Sequence, residues 1–550
     1  MPNLVPGMLW TYFQNAVLVT IPVSLILLVW YRRAVSHEMD ARSDVEREME
    51  EIALDGSAAS GLSSLPTDAV NPHRLVDATG SDTGSRLRLA LIYAAAGAVA
   101  SGVLTALFFF TMPGVDLAPL RVFVVWYAFC WPIVPSIAAL LAISRYRALL
   151  WLLGYILAGA VVIWAWSAFN KAAFGRTDIV PYDNAKAFLT FLRGEAWLPC
   201  LIILVTGNRR LRSVSPLALA GLLVFSYSAL VLNYAVVALM DVGSAREWLL
   251  RVAGANFRHL LFLLAALPVG LVCWWLLRWL GRAFDNKSFS DVQLVVDTWW
   301  LIVVFNAVVL LASDLGWGAL AGLLAFVAFR IVVEAGVRLW GVARAEEQVH
   351  RLLLLRVFGF QRRTENLFDG IAQRWRFRGS VRLIAGTDLV SRLIDPGDFI
   401  RFVGGRLKRQ FVQSSEDLSR NLSMLDDGRD PDGRFRVNKF FCHANTWRAT
   451  LRALLERSDV VLMDLRGFSE QNRGCQFELQ ELAENSLLKR TVFVVDETTD
   501  SKLLEASLIE TGRTVTSSAP DDPGRINVVH TKTQSAAEIR EIYRVLQTCE

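Results

Sequence analysis

Apolar residues run through the first three-fifths of the chain in blocks of about 14 to 25, separated by short polar punctuation. Eight blocks stand out, at positions 12–30, 89–110, 123–143, 149–169, 217–240, 260–280, 299–312 and 317–339. A ninth, 187–205, is interrupted by Arg193, Gly194 and Glu195. Crossing a hydrocarbon core of ~30 Å takes roughly 20 apolar residues in a helix, so the pattern predicts about nine transmembrane helices. Pro216 precedes the 217–240 block, where a helix can begin. The first block has no preceding positive residue and no small-residue cleavage site after it, which predicts an uncleaved anchor over 1–35.

Beyond position 345 the period changes. Short β-branched or aliphatic runs alternate with amphipathic stretches, the pattern of a parallel sheet covered by helices. Strands are predicted at 352–359, 381–386, 437–443, 459–465, 490–496 and 526–531. Helices are predicted over 364–375, 395–411, 445–458, from about 473, and over 535–547. The expected architecture is therefore a polytopic α-helical membrane domain, spans 88–340, followed by a doubly wound α/β domain over 345–550. Between anchor and membrane domain, residues 36–87 form a polar segment: a short charged helix and then a linker rich in Gly, Ser, Asp and Pro.

Composition agrees with the membrane assignment. Hydrophobic residues make up 53% of the 550, charged ones 20%, and there are 18 tryptophans. A formal net charge of +5, with no basic stripe interleaved with aromatics, argues against nucleic acid as a partner. The six cysteines are scattered, without a CxxC pair or a Cys/His cluster, so neither a disulfide framework nor a metal site is expected. Basic residues collect on alternate loops: Arg32 and Arg33, Arg145 and Arg147, Arg209, Arg210 and Arg212, then Arg278, Arg282 and Lys287. With nine spans this places the N-terminus outside and the C-terminal domain in the cytoplasm of a plasma-membrane protein. Within the spans, Arg330 and Glu334 lie one helical turn apart. They predict an intrahelical ion pair near the interface; the alternative is a substrate or proton site in a transporter.

The candidate chemistry lies in "VVLMDLRGFSEQNRGCQFELQEL", residues 460–482. A strand runs into Asp464, a loop follows with Arg466 and Arg473, and a helix begins near Arg473 with Asn472 as its candidate cap. Cys475, Leu479 and Leu482 form the buried stripe of that helix, and Glu478 sits on its flank, within reach of the strand tips. In doubly wound sheets ligands bind beyond the carboxyl ends of the strands, which is where this acid falls. The guanidinium forks of Arg466 and Arg473 suit a pyrophosphate, Asp464 suits ribose hydroxyls, and Trp447 can stack on a ring.

"GCQFEL" (474–479) resembles the "WCxxEL" motif of Toll/interleukin-1 receptor (TIR) domains, and also the "GxxxEL" region of nucleoside deoxyribosyltransferase-like proteins. The stretch from about 350 to 550 is similar to this flavodoxin-like superfamily. Gly474 stands where TIR domains carry tryptophan, and "LLLLRVFGFQRR" lacks their aromatic–acidic–Ser motif. The resemblance implies that Glu478 is the essential glutamate of an N-glycosidase acting on NAD or a related nucleotide, with no further cofactor. Self-association and the lipid bilayer are the expected partners. The alternative is a non-enzymatic signalling module that binds a nucleotide or protein and is coupled to the helices.

Overall fold

The computed structural model describes residues 14–16, 18–37, 79–111, 117–141, 143, 145–174, 181–207, 211, 213–240, 243–244, 247, 251, 257–341, 349–357, 361–385, 396–405, 411–443, 446–510, 526–532 and 535–549. Of the predicted polar segment 36–87, residues 38–78 lie outside them, and residues 79–87, expected as the end of a linker, form the first turns of a helix instead. Two compact units emerge: one comprises Met1–Val29, Arg86–Arg344 and Asp395–Gly404, the other Trp30–Ser85, Ala345–Ile394 and Gly405–Glu550.

The helical unit follows the apolar blocks. Its helices are α1 (Gln14–His37), α2 (Thr79–Thr111), α3 (Pro119–Phe129), α4 (Ile133–Leu140), α5 (Arg145–Phe174), α6 (Pro181–Phe191), α7 (Trp197–Thr206), α8 (Ser215–Met240), α9 (Phe257–Asp285), α10 (Asp291–Leu315) and α11 (Leu323–Leu339). Among the described residues five helices are long and apolar enough to cross a bilayer, or seven if each of two bent pairs counts as one span, against the nine expected from the apolar blocks. The α3–α4 pair bends by 42° around Pro132; the α6–α7 pair bends by 52°. The second bend contains a π-helical turn at Leu192–Ala196, covering the Arg-Gly-Glu interruption seen in the sequence. The blocks at 217–240 and 260–280 lie on α8 and α9. Small residues let the helices close on one another: a Cβ added at Gly97 would come within 2.6 Å of the Trp300 ring and 2.7 Å of Ile133. Helix α10 starts on a capping box in which Ser290 and Gln293 satisfy each other's backbone N–H groups.

One expectation in this unit is corrected. Arg330 does not pair with Glu334; it donates to Asp297 of α10, and Glu334 accepts from Arg338 at 2.5 Å. A cation inside a helix pair gains more from a partly buried carboxylate across the interface than from an exposed one on its own helix.

The second unit is a seven-stranded, wholly parallel sheet in the order β3-β4-β2-β1-β5-β6-β7. Its elements are β1 (Leu352–Arg356), α12 (Gln361–Trp375), β2 (Val381–Ala385), β3 (Phe411–Val412), α14 (Ser415–Ser423), β4 (Val437–Cys442), α15 (Trp447–Leu455), β5 (Val460–Asp464), α16 (Arg473–Glu484), β6 (Thr491–Val495), α17 (Ser501–Glu510), β7 (Asn527–His530) and α18 (Ala536–Thr548). The central strands are buried along their whole length, as the unbroken runs "LLLL", "VVLM" and "VFVV" require when both faces are covered. All six predicted strands are present. The sequence pattern predicts neither the two-residue strand β3 nor helices α14 and α17.

The helix expected over 395–411 is shorter. It spans Pro396–Val403 (α13) and stops at Gly404 and Gly405, the latter at φ +71°, where glycine avoids the left-handed penalty of other residues. Although α13 falls between β2 and β3 in sequence, it packs on α9, with the Phe284 ring so close to Gly397 that a Cβ would stand at 2.6 Å.

At the amino ends of the strands, charges neutralise one another internally. Arg382, 1% exposed, meets Asp427 at 2.8 Å, and Arg436 meets Asp430 at 2.7 Å. The carboxyl ends are arranged differently.

Candidate functional site

Strand β1 has β2 on one side and β5 on the other, so the chain winds away from β1 in one direction and later returns across it. In doubly wound sheets such a reversal marks the place, above the carboxyl ends of the two strands, where ligands bind. The last residues of the two strands, Arg356 and Asp464, are register partners there. The Val357 N–H donates to the Asp464 carbonyl at 3.0 Å, continuing the ladder one step past the strand.

From Asp464 the chain turns through Arg466 and Gly467, the latter at φ +77°, and enters α16 at Arg473. Asn472 occupies the cap position but does not cap the helix. Its Oδ1 accepts from the N–H and the hydroxyl of Ser469, at 2.9 and 3.0 Å, which shapes the loop instead. The predicted stripe is buried: Cys475, Leu479 and Leu482 all face the core. Cys475 also donates its thiol to the Arg356 carbonyl at 3.6 Å, tying the first turn of α16 to the end of β1.

Glu478, one turn further, goes deeper than a flank position implied. It is 3% exposed, and its Oε2 is enclosed without a hydrogen-bond partner among the described residues. Burial pushes its carboxyl up to about 8, while the nearby Arg356 guanidinium pulls it back toward ionisation. A carboxyl near neutrality, with one unused oxygen beside a cation, can hold a proton, release it, or receive a positive ligand.

The other candidates divide. Asp464 and Arg466 come together, but on each other: Nε and Nη2 of Arg466 donate to the two Asp464 oxygens at 2.7 and 2.6 Å, and Thr364 donates to Asp464 Oδ2 at 3.0 Å. Both members of this fork are about 2% exposed. Arg473 is exposed at the start of α16. Trp447 lies on the outer seam between α15 and α16, edge-on to Phe477 at 5.5 Å, with Arg448 over both rings. Cys442 bonds Thr450, and burial pushes its thiol up to about 12. Among the described residues no three of His, Cys, Asp and Glu form a metal-binding group.

The sequence motif does not include two residues at the centre, Arg356 and Thr364. Arg356 had a signal: it is the lone charge closing the apolar run "LLLLRVF". Thr364 opens a predicted helix and carries none. No family model, curated protein or solved structure matches this chain.

Proposed function

We propose that the protein is a membrane-anchored effector or sensor whose α/β unit binds a nucleotide over the carboxyl ends of β1 and β5, with Glu478 acting on the N-glycosidic bond of NAD or a relative. The observation that carries this is the Glu478 carboxyl: buried, with an unbonded oxygen, at the topological switch point of a parallel sheet. Strands β2-β1-β5-β6-β7 follow the 2-1-3-4-5 order of flavodoxin-like folds, with β4 and β3 added beyond β2, which supports the TIR-like assignment of this unit. The basic loops between the spans support an external N-terminus and a cytoplasmic α/β unit.

The chemistry needs little from the protein. As the bond to the pyridinium nitrogen breaks, its electron pair goes to nitrogen and nicotinamide leaves neutral, so no acid has to protonate it. The sugar carbon becomes cation-like, and the Glu478 carboxylate stabilises it or attacks it before water completes hydrolysis. Glu478 must be ionised for this. A cationic nicotinamide ring beside Oε2 favours the ionised form, so binding below pH 8 expels a proton. Arg473, exposed beside the loop, is the guanidinium free to reach a phosphate.

Calorimetry of NAD binding to the detergent-solubilised full chain, in buffers of different ionisation enthalpy, tests this. About one proton should be released per NAD at pH 7, and none from Glu478→Gln. Binding without proton release in the unaltered protein would refute the role given to Glu478.

A second reading has its own support. The Asp464–Arg466 fork is fully satisfied internally and Glu478 is enclosed, as suits a domain that relays a bound state to the helices without chemistry. NAD bound but never cleaved would favour it.

A further inference from the structure

The interface between α10 and α11 holds a charged pair in a place where charge is costly. Asp297 lies six residues into α10, about 9 Å along its axis, in a stretch apolar enough to cross a bilayer. Arg330 of α11 donates to Asp297 Oδ2 through Nη1. Burying an ionisable side chain in such a helix costs about 3 kcal/mol, so its retention calls for a use.

Two further polar atoms are buried at this interface. Oδ1 of Asp297 is enclosed with no partner among the described residues, and so is Nε1 of Trp300. The two residues stand at i and i+3, on one face of α10. Trp300 is 0% exposed and stacks on Phe329, the residue before Arg330, at 5.0 Å between ring centroids. An unused acceptor and an unused donor one turn apart, next to a guanidinium, match the needs of a water molecule, which bonds two to four polar groups.

We propose that Asp297, Trp300 and Arg330 form an intramembrane site for water and its excess proton. A hydronium ion arriving there transfers its proton to Asp297; the carboxylate becomes a carboxylic acid, and a neutral water remains. Arg330 keeps its charge and loses its counter-ion. The carboxylate within its reach is Glu334, one turn further along α11, now held by Arg338 at 2.5 Å. Protonation therefore hands Arg330 from a contact between helices to one within a helix, and loosens α10 from α11. Among the described residues Tyr93 of α2, packed against Phe329 with 5.8 Å between centroids, is the other titratable group facing Arg330.

A hydrophobic carbodiimide, which modifies protonated carboxyls in apolar surroundings, reads this directly in the full-length protein in lipid nanodiscs, with the modified peptide located by mass spectrometry. Asp297 should be labelled increasingly as pH falls. Arg330→Gln should move the labelling midpoint up by about one to three pH units. Glu334→Gln should move it down, because the displaced cation loses its second partner. No labelling of Asp297 at any pH where the protein stays folded would overturn the site, as would an Arg330→Gln midpoint equal to that of the unaltered protein. An unmoved midpoint in Glu334→Gln would overturn the hand-over.

Discussion

Arg356 and Asp464 face each other as register partners at the ends of β1 and β5, and each is tied to the segment that carries Glu478. Arg356 accepts the Cys475 thiol on its carbonyl, and Asp464 takes the fork of Arg466, two residues on. Two short ties thus hold the carboxyl ends of β1 and β5, with the Glu478 carboxyl enclosed beside them.

Enclosure of that carboxyl gives the α/β unit a pH dependence of known sign. The folded group titrates near 8, against 4.5 for the ordinary side chain. Below about 4.5 it is neutral in both states and costs nothing. As pH rises toward 8 the unfolded chain ionises first, so stability falls across that window, by up to roughly 5 kcal/mol at 1.36 kcal/mol per unit. Glu478→Gln should remove most of this slope. Hydrogen exchange in peptides from β1 and β5, measured on the full chain between pH 5 and 8, should show the variant gaining protection relative to wild type as pH rises. Equal slopes would mean that the carboxyl is solvated.

The Asp464–Arg466 fork is structural before it is anything else. Arg466→Ala leaves Asp464 buried without its cation and should cost about 3–5 kcal/mol, read as lost protection of β5 amides. The paired change Asp464→Leu with Arg466→Met should be milder. An Arg466→Ala variant as stable as wild type would contradict this placement.

Arg473 is the contrasting case. Being exposed and remote from the core, Arg473→Ala should leave stability within about 0.5 kcal/mol. It should still weaken nucleotide binding, with a reduced salt dependence. Unchanged affinity would remove Arg473 from the phosphate site.

In the helical unit, Gly97→Ala should destabilise the packing of α2 against α10, since its Cβ meets Trp300 and Ile133 at 2.6 and 2.7 Å. Overpacking of this kind costs about 1–3 kcal/mol and should lower the melting temperature in detergent. A neutral Gly97→Ala would show that the helices part readily there.

Long-period apolar blocks made the helices legible, because a membrane-crossing helix needs little beyond length and greasiness. The strands were legible because both faces of a parallel sheet are buried, which leaves runs such as "VVLM" unbroken. Strand β3, of two residues, is too short to show a period, and the helical pattern of the sequence runs on past the glycine pair at which α13 stops. At the site, the position of Glu478 on a buried helix face was readable, but its depth was not. Depth depends on segments far apart in the chain: Arg356, whose guanidinium acts on the Glu478 carboxyl, lies 122 positions earlier. Likewise, nothing local to Asp464 says that Arg466 folds back onto it, or that Arg330 reaches Asp297 instead of its neighbour Glu334.

Release of nicotinamide from NAD by the full-length protein, set beside Glu478→Gln at pH 8, tests the central claim most directly. Release by the unaltered chain, lost by at least a hundredfold in a variant that keeps its β1 and β5 protection, is the predicted result. Equal release by both proteins, or none from either under conditions that promote self-association, would contradict a working carboxyl at position 478.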